Sequence, residues 1–420
     1  MLPIAKLKTL ANGVRIVTVP LPASEISTIV VAIKAGTRGE RPHERGIAHL
    51  AEHLVFKGTT AYPTPQAVNA AVADIGGNVN AGTSLEYTFF IIEAPKLFIR
   101  KAFSIVSDIV LRPLIPASEF SRERKVVYEE SLQGRQDDSS YAEVLFEDLL
   151  YGHQPLGWDI TGTIKTLRSL RSADIRRYIN RWYTPNHMAV AILGGGSIDQ
   201  ILTEAIALYG TLPACSSPSW RPYRRLPIHK QQRHLHRDDP VTALTMGVPA
   251  LSIHSPLVEA QKLLDEALAG NFASRLYNRL REKEGLVYDI SSESEFYSDA
   301  GHTAVSTEAE TKNAQRVVEA IREEYGRLVR VPLSAKELKQ AKISYLGKLA
   351  SLPEEHEDLA LYYLVPLLLT NRLPQMERTE QRIQAVKLDT IRRLSKRLFN
   401  TKNYFLASIG KEQLDLPDIG

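Results

Sequence analysis

The sequence predicts an α+β fold built from two similar domains, and three observations predict it: the length, a proline-rich segment near the middle, and a repeated order of strands and helices. At 420 residues the chain is long for one compact domain, which favours two domains of about 200 residues each. Within residues 214–239, prolines are interspersed with basic residues and histidines, a composition typical of an extended, solvated connector. We therefore predict a first domain at 1–213, a linker at 214–239 and a second domain at 240–420.

The first half carries strand patterns and helix patterns in turn. Residues 13–19 and 26–33 are rich in valine, isoleucine and threonine and predict strands. Apolar residues at helical spacing predict a helix at 46–56. Thr64-Pro65 indicates the cap and first turn of a second helix, and alternation within 79–93 predicts further strands. The first half is completed by predicted helices at 118–132, 141–151 and 172–183 and a strand at 189–193.

After the predicted linker, the same order of elements begins again. A strand at 242–248 is followed by helices at 256–269 and 273–283 and by strands at 287–294 and 302–306. The remaining predicted elements are helices at 312–328, 334–349, 354–369 and 390–398 and a strand at 404–408. The repeated order implies two copies of one α+β unit, each a mixed or antiparallel sheet flanked by helices.

Composition limits the classes of function. The hydrophobic fraction of 44% and the charged fraction of 24% are those of a folded globular protein. A net charge of +4 gives no support to nucleic-acid binding. The start of the chain lacks a secretory signal, and no apolar run of about 18 residues is present, so we expect a cytoplasmic protein that does not bind or cross a membrane. The single cysteine, Cys215, agrees with a reducing compartment.

The segment His49-Leu50-Ala51-Glu52-His53 carries the first indication of chemistry. Two imidazoles four residues apart lie on one face of a helix, about one turn from each other. Zinc is well matched to such a pair, with a third protein ligand and a water completing a catalytic site. Glu52 can reach that water and take its proton, which makes it the candidate general base. The order HxxEH is the inverse of the commoner HExxH zinc motif and is itself a zinc-peptidase signature.

The third ligand should be a carboxylate on another element, and the predicted helix at 118–132 offers Glu123, Glu129 and Glu130. Glu123 and Glu130 are seven residues apart, so they share a helix face. One of them can bind the metal while the other orients a ligand.

Three segments then form a recognisable pattern: GIAHLAEHLVFKGTTAYP, GGNVNAGTSLEYT and SRERKVVYEESLQ. Together they resemble the pitrilysin (insulinase) family of zinc peptidases, in particular the short-chain subfamily that includes the mitochondrial processing peptidase. The resemblance implies that His49, His53 and Glu130 bind one zinc ion per chain, that Glu52 is the base, and that Glu123 supports a ligand. Glu129 is the alternative third ligand.

The resemblance also implies residues that contact the substrate. NFASRLYNRLREKEGLVYDISS is similar to the family segment that carries a substrate-contacting arginine and tyrosine, here Arg281 and Tyr288. The strand around Asn80 and Ala81 matches the family's edge strand, on which an extended peptide is laid by backbone pairing.

We therefore expect a zinc metalloendopeptidase that hydrolyses unfolded peptides or oligopeptides, with Glu52 as general base. The resemblance implies two domains that form half of a clam-shaped chamber, and a homodimer with composite active sites or a heterodimer with a sister subunit. The alternative function is a non-catalytic or partner-dependent subunit of such a heterodimer.

Overall fold

The computed structural model describes residues 3–225, 231–400 and 403–416. These residues divide into two compact units. Unit 1 contains residues 3–131, 159–221 and 351–376, and unit 2 contains the described residues of 132–158, 222–350 and 377–416. Residues 226–230 of the predicted linker lie outside the described residues.

The described strands form one sheet in each unit. In chain order, they are β1 Lys6–Thr9, β2 Arg15–Pro20, β3 Ile26–Ile33, β4 Asn78–Thr83, β5 Thr88–Pro95, β6 Met188–Gly194, β7 Gln232–His236, β8 Val241–Pro249, β9 Val287–Phe296, β10 Gly301–Glu310 and β11 Phe405–Gly410. The sheet of unit 1 has the order β1-β2-β6-β3-β5-β4, and the sheet of unit 2 has the order β7-β11-β8-β10-β9.

Helices cover both sheets. In chain order, the described α-helices are α1 Ile47–Val55, α2 Pro65–Ala73, α3 Ile99–Leu111, α4 Ala117–Gly134, α5 Asp138–Tyr151, α6 Ile164–Ser169, α7 Ser172–Trp182, α8 Ile198–Gly210, α9 Val258–Leu268, α10 Thr311–Arg330, α11 Ala335–Ser351, α12 His356–Thr370, α13 Met376–Ala385 and α14 Leu388–Phe399. A π-helical segment, Tyr277–Lys283, precedes β9. None of the helices in the described ranges is long and apolar enough to span a membrane.

The two sheets repeat one topology, which confirms the predicted pair of similar α+β units. Strands β2 and β6 pair in parallel in unit 1, as β7 and β11 do in unit 2. From there, each sheet continues through three antiparallel pairs, β6-β3-β5-β4 in unit 1 and β11-β8-β10-β9 in unit 2. The predicted second-half strands and the predicted helices at 46–56 and 118–132 correspond to described elements.

Each unit takes one helix from the other half of the sequence. Helix α12 packs on β3 and β6 of unit 1, whereas α5 packs on β8 and β11 of unit 2. Both faces of the central strands are therefore buried: on β3, Ile29 and Val31 belong to the main core, and Val30 between them is equally inaccessible. The compact units thus differ from the contiguous ranges 1–213 and 240–420, because residues 132–158 and 351–376 pack with the opposite half.

Six described strands and α-helices were not predicted: α3, α6, α8, α13, β1 and β7. Helices α3 and α8 carry apolar residues at helical spacing, such as Ile99, Phe103 and Val106 in α3, so the sequence did contain the signal. Strand β7 lies in the predicted linker. Its side chains are mostly exposed and its sequence, QRHLH, has no apolar alternation, so its backbone ladder with β11 defines it.

Candidate metal centre

Helix α1 is buried on nearly every side and leaves two imidazoles at its accessible face. Ile47, Leu50 and Leu54 are fully buried in the core of unit 1. The side chains of His49 and His53 each retain 17% of their accessible surface. Packing therefore fixes the rotation of α1 about its axis, and that rotation places both histidines on the same open face.

The first turn of α1 is capped by a buried carboxylate from the preceding loop. Glu40 accepts hydrogen bonds from the backbone N–H groups of Gly46, at 3.0 Å, and Ala48, at 2.9 Å. Burial raises the pKa of Glu40 to about 8, while the two N–H groups favour its ionised form. Gly46 has φ +90°, and a Cβ there would lie 2.7 Å from the carbonyl oxygen of Thr161, so glycine is required at this position. Two local constraints thus hold the helix start.

Three potential ligand atoms converge above this face of α1. The Nε2 atoms of His49 and His53 are 3.3 Å apart. Oε2 of Glu130, on α4, lies 3.2 Å from Nε2 of His53 and 3.8 Å from Nε2 of His49. Among the residues described here, these three form the one group of histidine, cysteine or acidic residues suited to holding a metal ion.

The donor set fits zinc. Ligand bonds of about 2.0–2.1 Å in a tetrahedral arrangement separate two donors by about 3.4 Å, close to the distances seen between these atoms. Burial, with a smaller contribution from the neighbouring His53, lowers the pKa of His49 to about 4. His49 is therefore neutral at physiological pH, and the neutral imidazole is the form that binds metals.

Glu123 contacts His53 at Nδ1, the ring nitrogen opposite the one that faces Glu130. Its Oε2 lies 3.2 Å from Nδ1 of His53, and its Oε1 lies 3.1 Å from Nζ of Lys57. An imidazole that donates through Nδ1 presents a lone pair at Nε2, which is the atom facing His49 and Glu130. The ion pair with Lys57 offsets the cost of burying Glu123, which is only 4% exposed.

Glu52 lies on α1 beside the two histidines and is held by one hydroxyl. Thr83, the last residue of β4, donates a hydrogen bond from Oγ1 to Oε2 of Glu52 at 2.9 Å. Burial raises the pKa of Glu52, whereas the hydrogen bond from Thr83 and the charge of His53 oppose that rise. The buried hydroxyl of Tyr183 has no hydrogen-bond partner in the described part of the chain, and burial together with the charge of Glu52 raises the pKa of Tyr183.

Asn80 and Ala81 lie in β4, at the edge of the sheet of unit 1. On its inner side, β4 pairs with β5, with Asn80 opposite Ile91 and Ala81 opposite Phe90. No described strand of the unit 1 sheet pairs with its outer side. That edge presents backbone N–H and C=O groups that can pair with an added strand.

Arg281 and Tyr288 form a local pair in unit 2. The guanidinium of Arg281 lies 5.0 Å from the ring centroid of Tyr288 and 5.0 Å from that of Tyr277, within the range of cation–π contacts. Tyr288 is 84% exposed, an unusual position for a large aromatic side chain. The pair is therefore ordered within its unit and accessible to a partner or ligand.

The predicted residues thus fall into three groups. His49, His53, Glu130, Glu123 and Glu52 are brought together in unit 1, Asn80 and Ala81 lie on the edge strand that ends at Thr83, and Arg281 and Tyr288 pair in unit 2. Sequence reasoning missed Glu40, Lys57 and Thr83. Lys57 and Thr83 fall inside the quoted motifs GIAHLAEHLVFKGTTAYP and GGNVNAGTSLEYT, whereas Glu40 lies outside them and nothing in its local pattern indicates its contacts.

Two family models match adjacent parts of the chain. Residues 15–163 match "Insulinase (Peptidase family M16)", and residues 169–345 match "Peptidase M16 inactive domain". The His49, His53 and Glu130 group lies in the first match, and Arg281 and Tyr288 lie in the second.

Relatives and solved structures agree with these matches. An uncharacterized zinc protease of Bacillus subtilis (strain 168) is 28% identical over 402 residues, which cover 96% of this chain and 97% of the relative. The beta subunit of the mitochondrial-processing peptidase of Saccharomyces cerevisiae is 28% identical over 360 residues, covering 81% of this chain and 74% of its own. A protease from Helicobacter pylori shares the fold with a TM-score of 0.87 at 21% identity, covering 98% of this chain and 100% of that chain.

The fold and the residues gathered on α1 and α4 define a two-unit α+β protein with a candidate metal centre in unit 1. Matches to models of one family cover most of residues 15–345, and relatives named as zinc proteases align with nearly the whole chain. The chain therefore belongs to the insulinase family of peptidases, family M16, which confirms the resemblance drawn from its motifs.

The arrangement favours Glu130 over its neighbour Glu129 as the candidate metal ligand. Glu129 is exposed, whereas Glu130 reaches both imidazoles. We expect Glu130→Gln to weaken zinc binding by at least about tenfold, because a neutral amide is a poor zinc ligand, and Glu129→Gln to bind zinc as the wild type does. Competition with a chromogenic chelator measures both affinities. Loss of zinc from the Glu129 variant, with retention by the Glu130 variant, would reverse the assignment.

Proposed function

We propose that this protein is a zinc-dependent endopeptidase or oligopeptidase that acts on extended, unfolded peptides. The observation that carries the proposal is the convergence of Nε2 of His49, Nε2 of His53 and Oε2 of Glu130 within 4.8 Å of one another. Two imidazoles and one carboxylate are a three-ligand set of the kind used by catalytic zinc sites, which keep a further position for water or substrate. The names of the aligned relatives support the choice of zinc.

In the proposed reaction, Glu52 moves the proton. A bound zinc ion supplies Lewis acidity, which polarises the scissile carbonyl and makes a water molecule a better nucleophile at neutral pH. Glu52 takes a proton from the attacking water and returns it to the leaving amine as the peptide C–N bond breaks. Its buried position suits this role, because a carboxylate with a raised pKa is a stronger base than a solvated one.

The free edge of β4 would bind the substrate. Backbone pairing at a sheet edge recognises an extended chain with little demand on side-chain identity, so Asn80 and Ala81 would contact the peptide through main-chain atoms. In a folded protein most backbone N–H and C=O groups are already paired, which is why we propose unfolded peptides as the substrate class. Arg281 would supply a fixed positive charge and Tyr288 an exposed hydroxyl to steady the substrate.

Replacement of the base should separate zinc binding from hydrolysis. We expect Glu52→Gln to keep a full complement of about one zinc per chain, because the three ligands are unchanged. We expect its turnover of quenched fluorescent peptides to fall by about two to four orders of magnitude, because an amide cannot accept the proton. Metal content and turnover are measured on the same preparation, with chelator-treated wild type as control. Near-normal turnover by the zinc-loaded variant would contradict the role given to Glu52.

We further propose that the working enzyme is a homodimer with active sites shared between chains. The proposal is supported by the assignment of the candidate residues to different units: the three candidate zinc ligands belong to unit 1, and Arg281 and Tyr288 belong to unit 2. A two-fold pair can bring unit 1 of one chain to unit 2 of the other and so form two equivalent sites. A heterodimer with a sister subunit is the alternative, and the name of the yeast relative, a beta subunit, supports keeping it.

A mixing experiment tests the shared sites. One inactive variant is Glu52→Gln, and the other combines Arg281→Ala with Tyr288→Phe. In a mixed dimer with shared sites, one site carries both lesions and the other is intact, so random equal mixing should restore roughly a quarter of the wild-type activity. If activity does not return although subunit exchange is verified by mass spectrometry, sites are not shared between copies of this chain. Activity that appears only after a second cellular subunit is added would favour the heterodimer.

A further inference from the structure

We propose that Thr83 is a positioning residue for the general base, and that it joins the peptide-binding edge of β4 to the orientation of the Glu52 carboxylate. The inference rests on the proposed function and adds a residue to it. It starts from one contact: Oγ1 of Thr83 donates a hydrogen bond to Oε2 of Glu52 at 2.9 Å.

The position of Thr83 is itself well fixed. It is the last residue of β4 and pairs with Thr88 of β5. Thr88 is buried and donates from Oγ1 to the carbonyl oxygen of Ala35 at 2.7 Å, while the N–H of Ser84 donates to the carbonyl oxygen of Tyr87 at 2.8 Å. The end of β4 is therefore anchored on the sheet side of the hairpin. As a β-branched residue, threonine also has a restricted χ1 angle, so the direction of its hydroxyl is limited.

Glu52 needs such a partner. A glutamate side chain has three rotatable bonds, and a general base must lie within hydrogen-bond reach of the proton that it takes. The bond from Thr83 engages Oε2, which leaves Oε1 to accept the proton of the attacking water. A carboxylate that is free to rotate would spend part of its time away from the water. Displacements of about 1 Å in such groups can lower a rate by about a hundredfold.

The contact also relates substrate binding to the base. A peptide that pairs with the free edge of β4 would lie beside Asn80 and Ala81, three and two residues before the threonine that bonds to Glu52. The register of the peptide and the direction of the carboxylate are thus set by the same strand. We infer that Thr83 affects turnover more than it affects peptide affinity, because its side chain contacts the base and not the outer edge of the strand.

Three variants test this inference. Thr83→Val replaces the hydroxyl by a methyl group of similar size, Thr83→Ser keeps the hydroxyl, and Thr203→Val is a matched control. The hydroxyl of Thr203 bonds to the carbonyl oxygen of Asp199 on an exposed part of α8. We expect Thr83→Val to lower kcat by about 10- to 100-fold, with KM within about twofold and zinc content unchanged. Thr83→Ser should stay within about threefold of the wild type, and Thr203→Val should match it.

Other results would overturn the inference. A wild-type kcat in Thr83→Val would show that the hydroxyl does not matter. Equal losses in Thr83→Ser, which keeps the hydroxyl, and in Thr83→Val, which lacks it, would assign the effect to packing at this position and not to the hydrogen bond. Loss of zinc from Thr83→Val would make the residue part of the metal site. If the wild type shows no zinc-dependent turnover, the proposed function fails and crystal structures of the variants decide the inference alone. We expect the Glu52 carboxylate to move in Thr83→Val and to stay in place in Thr83→Ser. If the Glu52 carboxylate keeps its wild-type position in the structure of Thr83→Val, the inference is overturned.

Discussion

The candidate site depends on the burial of α1, a helix of only nine residues. Helices of this length are marginal alone, so their position comes from packing and from their caps. The core of unit 1 covers the apolar sides of α1, and the carboxylate of Glu40 bonds to two N–H groups at its start. The core packing and the cap together set the direction of the His49, Glu52 and His53 side chains. Because packing fixes the rotation of α1 in the core, His49 and His53 face α4, where Glu130 and Glu123 both contact His53.

The two units share a sheet topology but differ in the residues carried by the helices that correspond to each other, α1 and α9. Helix α9 follows β8 in unit 2 as α1 follows β3 in unit 1, yet its sequence, VEAQKLLDEAL, contains no histidine. Its buried Asp265 instead accepts hydrogen bonds from Thr303 at 2.7 Å and Ser294 at 2.5 Å, and burial raises the pKa of Asp265 to about 6. The oxygen atoms of this carboxylate already accept hydrogen bonds from hydroxyl groups of the protein. Helix α9 thus lacks the histidines that α1 carries, and its buried acid is bonded to hydroxyl groups of its own unit.

The sequence was most informative where one local pattern determines structure. Period-two and helical spacing located most strands and helices, and the four-residue spacing of His49 and His53 placed both on one face of α1. Contacts between distant segments could not be predicted in this way. The packing of α5 and α12 on the sheet of the opposite half depends on which apolar faces meet, and β7 depends on its ladder with β11. The cap from Glu40 and the bond from Thr83 likewise join residues whose proximity exists only in the folded chain.

The proposed function requires that one zinc ion binds between α1 and α4. Anomalous diffraction from crystals of the zinc-loaded protein, recorded on both sides of the zinc absorption edge, tests it most directly. The claim predicts one strong peak per chain, about 2.0–2.2 Å from Nε2 of His49, Nε2 of His53 and a carboxylate oxygen of Glu130. A fully loaded crystal with no peak at these three residues, or with its strongest peak at another group of side chains, would contradict it.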